Sequence, residues 1–231
     1  MKIKIIADGH SEKDRKNGLW GLSLLVGDDV LFDTFCGGKK LLEAMKRKGI
    51  DPAKIKHVVI SHRHWDHTGG LWNFLEYNNR AAVYLCGHSP VRLVNKIKKY
   101  GAKVRLAGEK PLKIRPGAVL TGEVKGYYKS GVMYEQGLIA ESGKGSILIC
   151  GCAHPGPEKM LKKALEGRRK IRAIAGGFHL SDADDKKIAD VIGYFRSVGI
   201  AFAFPMHCSG RPAVKIKRFF NDPGKAGVEI S

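Results

Sequence analysis

No stretch of the 231 residues approaches the roughly 18 uninterrupted apolar positions that a membrane-crossing helix needs. Cysteine is scarce and odd in number, five residues without framework spacing, which argues against a disulfide-stapled secreted fold. Glutamine occurs once, at Gln136, and asparagine is sparse, a composition suited to a thermophile. Internal repeats, low-complexity tracts and linkers are lacking. The opening Met1–Asp8 is charged too early for a secretory leader and reads as a first strand. These features lead to the expectation of a cytoplasmic protein without membrane contact, a single domain over residues 1–231. A chain of this size buries roughly 70–75% of its unfolded surface.

Acidic residues are also in short supply: 22 Asp and Glu against 41 Lys and Arg, a net charge of +19. Such an excess attracts polyanions, or it is the solvated surface of a basic, heat-adapted protein. The cations are spread along the chain, as in Lys46–Lys48, Lys96, Lys98, Lys99 and Lys215–Arg218, several of them opposite apolar positions of helical patterns. They read as solvated helix faces rather than as a nucleic-acid readout surface.

The chain mixes two periodicities. Short apolar, β-branched runs mark strands at 2–7, 22–26, 30–33, 56–60, 82–85, 146–151, 171–175 and 201–205. Helical patterns occupy 39–48, 90–99, 156–165, 182–198 and 212–220, with Ser89 and Ser181 placed to cap the second and fourth. The polar stretch 10–17 reads as a mobile loop. Residues 110–137 read as hairpins and loops near the mouth of a site.

The densest chemistry lies at Ser61-His-Arg-His-Trp-Asp-His-Thr-Gly-Gly70. His62, His64, Asp66 and His67 crowd six positions between a buried strand and a helix that starts near Gly70. Imidazole and carboxylate together suit zinc, iron or manganese. In extended chain i and i+2 share a face, so His62 and His64 can grip one ion, while Asp66 and His67, past the bend, point toward a second.

His-x-His-x-Asp-His after a buried strand resembles the motif of the metallo-β-lactamase fold superfamily. Further stretches strengthen the resemblance: 31–34, ending at Asp33; 147–154, delivering His154; and 203–207, delivering His207. The strings Gly151-Cys-Ala-His-Pro-Gly156, Gly176-Gly-Phe-His-Leu180 and His207-Cys-Ser-Gly210 resemble a subgroup that includes the archaeal dihydropterin–ribofuranosylaminobenzene phosphate synthase and metal-dependent hydrolases. The resemblance implies an α/β four-layer αββα sandwich, with two mixed sheets face to face and helices outside. It implies one or two divalent metals, zinc foremost, with Fe, Mn or Mg as alternatives. His62, His64 and His154 would hold the first ion and Asp66, His67 and His207 the second. Asp33 would support a ligand from behind.

One departure concerns the acid that commonly bridges the ions in relatives, between the third and last His. Here His179 stands in its place. An imidazole cannot bridge as a carboxylate can, so either His179 is a ligand of one ion or an acid–base group, or the centre holds fewer metals; the alternative role is an orienting neighbour. Asp182, Asp184 and Asp185 read as N-terminal helix charges. Cys152 and Cys208 adjoin proposed ligands but read as buried inert thiols.

The chemistry implied is metal-activated water or metal-assisted leaving-group departure, with Asp66 and His179 as catalytic residues. The substrate is a small anionic metabolite, phosphorylated or ester-like. Ser209 and Arg211, before a helical run, are candidate phosphate contacts. A transferase of the synthase type is one alternative. A nucleic-acid phosphodiesterase is another, which the charge favours and the lack of an RNA-clamping arm disfavours. The full ligand complement argues against a degenerate scaffold, and the missing bridging acid and flavin domain argue against a redox carrier.

Overall fold

The computed structural model describes residues 1–141, 145–166 and 169–221. Twelve strands form two six-stranded sheets. The first contains β1 (Ile3–Gly9), β2 (Gly21–Val26), β3 (Val30–Phe32), β4 (His57–Val59), β5 (Ala82–Cys86) and β6 (Val104–Ala107), in that spatial order. β1, β2 and β3 pair antiparallel, and β3 through β6 run parallel. The second contains β7 (Leu112–Arg115), β8 (Ala118–Tyr128), β9 (Gly131–Ala140), β10 (Ser146–Cys150), β11 (Ile171–Gly177) and β12 (Phe202–Met206). β7, β8, β9 and β10 pair antiparallel, and β10, β11 and β12 run parallel.

Three apolar clusters set the layering. Leu22, Leu24, Phe32 and Val59 of the first sheet pack with Leu120, Leu138, Ile149 and Ala175 of the second, so the sheets meet face to face. The outer face of the first sheet, including Leu31 and Val58, packs against α2 (Gly38–Arg47), α4 (Leu71–Tyr77) and α5 (Val91–Lys99). The outer face of the second packs against α6 (Pro157–Leu165), α7 (Asp185–Ser197) and α8 (Val214–Phe220). This is the expected four-layer αββα sandwich. Strands buried on both faces need near-continuous apolar sequence, which is why β2, β3 and β10 were readable. Each helix turns one stripe inward: α2 buries Leu41, Ala44 and Met45. The lysines at 39, 46, 48, 96, 98, 99, 215 and 217 are exposed, as expected of solvated helix faces.

Several local expectations need correction. The stretch 10–17 contains a short helix, α1 (Glu12–Lys16), started by a capping box in which Ser11 and Asp14 satisfy each other's backbone N–H. Helix α5 has Pro90 rather than Ser89 at its N-cap. Helix α7 begins after Asp184, whose side chain accepts from Lys187 N, so Ser181 is not its cap. The strand β6 went unforeseen because Val-Arg-Leu-Ala is too short and mixed to show alternation. Residues 110–137 hold long paired strands, and the tip of the β8–β9 hairpin does reach the site. Among the described residues no helix is long and apolar enough to cross a membrane.

Candidate metal centre

The C-terminal ends of the parallel strands all open on one rim, where the chemistry gathers. The loop after β3 carries Asp33. The loop after β4 carries His62 and His64, and a separate four-residue helix, α3 (Trp65–Thr68), carries Asp66 and His67. The sequence had suggested a connection running straight into the helix at Gly70; α3 and α4 are instead distinct. Cys152 and His154 follow β10, His179 follows β11, and His207 follows β12.

Four donor groups form among the described residues, and two of them are the expected sets. One atom each from His62, His64 and His154 lie within 4.8 Å of one another, and so do atoms of Asp66, His67 and His207. Within the first, His62 Nε2 is 3.0 Å from His64 Nδ1. Within the second, Asp66 Oδ2 is 3.2 Å from His207 Nε2 and 3.8 Å from His67 Nε2.

What makes these sets read as ligands is the far side of each ring. Ser61 Oγ donates to Asp33 Oδ2 at 2.7 Å and therefore accepts from His62 Nδ1 at 2.9 Å. His67 Nδ1 donates to Asp33 Oδ2 at 2.6 Å, His154 Nδ1 to Glu135 Oε2 at 2.9 Å, and His207 Nδ1 to the Gly9 carbonyl at 2.9 Å. Each ring thus keeps its Nε2 lone pair for the centre, the tautomer that a ligating His needs. Two buried side-chain atoms in the described protein lack a hydrogen bond, and one is His207 Nε2. An orphaned, inward-facing imidazole nitrogen is costly unless a cation takes it up. The donor set therefore fits a divalent metal.

Two acids hold the frame. Asp33 takes the Ser61 N–H, the Ser61 hydroxyl and His67, and so supports a ring of each set. It lies behind the rings, the position the resemblance assigned to it. Glu135, on β9, was missed: its Oε1 accepts from Cys152 N and Ala153 N, and its Oε2 from His154 N and His154 Nδ1. An isolated acid in the strand Met-Tyr-Glu-Gln gives no motif; only its full burial reveals the role. Burial alone would raise the Glu135 carboxyl, but these donors bring it down to about 2.

Electrostatics divide the centre. Burial and the neighbouring rings keep His62 well below its usual range, and burial, then His154, lowers His64 to about 4. Burial also opposes charge on His67, yet the Asp33 carboxylate wins and pushes it up to about 9. Burial raises Asp33 itself, so the pair holds one proton jointly. Asp66, against burial, is held well below the carboxylate range by His207 and His67.

Close backbone approach is required at the seam between sheets. A Cβ at Gly151 would come within 2.0 Å of Ser61 Oγ, and one at Gly177 within 2.3 Å of the Gly151 carbonyl. Asp33, Phe35, Ala153, His179 and His207 adopt positive φ despite having side chains. Such conformations cost of order 1–3 kcal/mol each and gather where surrounding structure imposes them.

The remaining candidates fall around this core. His179 is exposed; its ring lies 4.7 Å from that of His154, and its donor atom groups with Cys152 and Cys208 rather than with either histidine set. Cys208 beside it holds its pKa above the ordinary range. Ser209, expected to face a phosphate, is buried, accepts from Phe178 N at 3.0 Å and donates to the Met206 carbonyl at 2.6 Å, so its hydroxyl is spent internally. Arg211 is exposed on a single turn after Gly210. Tyr128, at the hairpin tip and not foreseen, sets its ring edgewise to His64 at 4.6 Å and His154 at 5.1 Å.

Residues 21–190 match a family described as the metallo-beta-lactamase superfamily. The chain is 31% identical to the 7,8-dihydropterin-6-methyl-4-(beta-D-ribofuranosyl)-aminobenzene-5'-phosphate synthase of Methanocaldococcus jannaschii, with 82% of this chain and 81% of that protein covered. The crystal structure of Tm1679, a metal-dependent hydrolase of the beta-lactamase superfamily, matches with a TM-score of 0.73 at 27% identity, over 94% of this chain and 92% of that one. Human tRNase Z, short form, has the same fold, with a TM-score of 0.62 at 14% identity over 90% and 92% of the two chains.

Proposed function

Because this chain belongs to the metallo-beta-lactamase superfamily, we propose that it is a metal-dependent enzyme acting on a small phosphorylated or ester-like metabolite. The observation that carries this reading is the pair of donor sets whose rings are all oriented from behind except His64. Divalent ions held there would acidify water and polarise a phosphoryl or carbonyl oxygen.

The protein's own groups supply the rest. Asp66, kept ionised by His67 and His207, accepts a hydrogen bond from a water entering between the sets and so orients it. His179, exposed and biased toward its protonated form by Cys208, delivers a proton to a departing oxygen. Tyr128 walls one side of the opening above His64 and His154. Two exposed cations lie at that hairpin, Lys129 over the Tyr128 ring and Arg63 against the Val132 carbonyl, and favour an anionic substrate.

A second reading is favoured by the synthase among the relatives: the aminobenzene nitrogen would bond to a pterin methyl carbon as that carbon's diphosphate departs, with the amine proton passing to solvent. There the same rim would steady the leaving oxygens, with His179 protonating them. Zinc is the first candidate ion for either chemistry, and manganese or iron the next.

Metal-loaded protein supplied with a dihydropterin methyl diphosphate and a ribofuranosylaminobenzene phosphate, and separately with phosphomonoesters and phosphodiesters, tests both readings. Condensed product assigns the transferase; phosphate release without condensation assigns the hydrolase. Turnover of tRNA alone would replace both with a nucleic-acid phosphodiesterase. Absence of any turnover by protein carrying its full metal complement would overturn the enzymatic reading.

A further inference from the structure

We propose that Cys152 is a metal ligand shared by the two donor sets, its thiolate facing both ions. This rests on the metal-centre reading above and adds to it a donor that the sequence analysis set aside.

The argument is one of position. The Cys152 sulfur groups within 4.8 Å of donor atoms of both His62 and His67. His62 belongs to one set and His67 to the other. No other donor from outside the two sets, among the described residues, groups with members of both. Cys152 Sγ lies 3.2 Å from His67 Nε2. Two donors on one tetrahedral zinc, with Zn–S and Zn–N bonds of ordinary length, sit about 3.6 Å apart. The observed contact is a thiol–imidazole hydrogen bond about 0.4 Å shorter than that, so a cation entering between the two needs only a small spreading of the pair.

The position is also built. The backbone N–H groups of Cys152, Ala153 and His154 all converge on the Glu135 carboxylate. Ala153 takes φ 54° between the two side chains. One loop thus presents the Cys152 sulfur and the His154 ring together, and Cys152 is only 3% exposed. A Cβ at Gly151 would meet Ser61 Oγ and one at Gly177 the Gly151 carbonyl, so glycine at both positions lets the loop seat this closely.

Charge points the same way. Across both sets the inward donors are five imidazoles and the single carboxylate of Asp66. Asp33 and Glu135 lie behind the rings, with their oxygens spent on hydrogen bonds. Two divalent ions bring four positive charges into a largely buried site, which favours further anionic donors. A thiolate at Cys152 supplies one, its proton passing to solvent as metal enters. Cys208 does not compete: its sulfur groups with Cys152 and His179 alone and points to the Cys152 carbonyl at 3.8 Å.

Cobalt(II) titration and zinc-edge X-ray absorption test this without reference to turnover. Wild-type protein should bind two cobalt ions per chain, develop a thiolate-to-cobalt charge-transfer band, and in the zinc form show one sulfur neighbour per ion. Cys152→Ser should lose that band and weaken both ions, the one on Asp66, His67 and His207 by more than about 100-fold, beyond the loss from removing an outer partner. Cys208→Ser should keep the band and both ions. Two ions without sulfur in wild-type protein, or loss of the band in Cys208→Ser, would overturn the assignment while the metal centre stands. No ion in wild-type protein would overturn the centre as well. Should Cys152→Ser fail to fold, the wild-type spectrum and Cys208→Ser decide the matter.

Discussion

The two donor sets sit side by side yet differ in kind. The first is all imidazole, with His64 half-buried and Tyr128 against its open side. The second is closed: His67 and His207 have fully buried side chains, and Asp66 is only 9% exposed there. Burial depresses His62 and His64 in the first set, whereas Asp33 raises His67 in the second. The difference separates two tasks. An open, neutral set suits exchange of water and substrate, and a closed, anionic set suits permanent retention of an ion.

The sharpest way to break this division is to remove one ligand from each side. His64→Ala should weaken the first ion more than about 100-fold and leave the second in place, and His207→Ala should do the reverse. Chelator competition with ion counting reads both, and equal loss of both ions in both variants would erase the distinction. The supporting acids give the next largest effect. Glu135→Gln should weaken the first ion by about 10–100-fold through His154. Asp33→Asn should weaken the second ion comparably through His67, and reach the first only through Ser61.

A smaller effect is expected in metal-free protein. A group raised in the folded state, as His67 is, stabilises fully below its unfolded value of 6.5, and that stability is lost as pH rises toward about 9. Because Asp33 shares the proton, the loss should be roughly 1–2 kcal/mol rather than the full shift. Thermal unfolding between pH 6.5 and 9 measures it. Asp33→Asn should flatten the slope, and an unchanged slope would remove the pair from the explanation. Least of all, Tyr128→Ala should raise KM about 3–10-fold with ion content unchanged. A loss of ions there would make the tyrosine part of the frame instead.

Legibility in the sequence followed locality. His62, His64, Asp66 and His67 are neighbours in the chain, and the flanking strand and helix leave their own periodic marks. His154 and His207 were legible as candidates because each follows an apolar strand, and the structure brings both into donor sets. Glu135 and Tyr128 lie on antiparallel strands of mixed polarity, and their roles arise only when the second sheet folds over the first. Ser209 misled for a related reason: a hydroxyl near a helix start resembles an anion contact until tertiary structure supplies partners for it. Cys152 could be read as an inert thiol because nothing local says which way a buried sulfur points. The helix starts at Ser89 and Ser181 shifted by one to three residues, the usual ambiguity where several polar residues compete for one cap.

The bond from His207 Nδ1 to the Gly9 carbonyl joins residues 198 positions apart, and His207 N donates to the Asp8 carboxylate beside it. During synthesis the first histidines emerge long before the strand that brings the last, and that strand must then find the edge of the chain's earliest one. A cation held by Asp66, His67 and His207 would therefore be a late arrival. It would complete that set only after both sheets have assembled, so metal supply would act on a nearly finished protein.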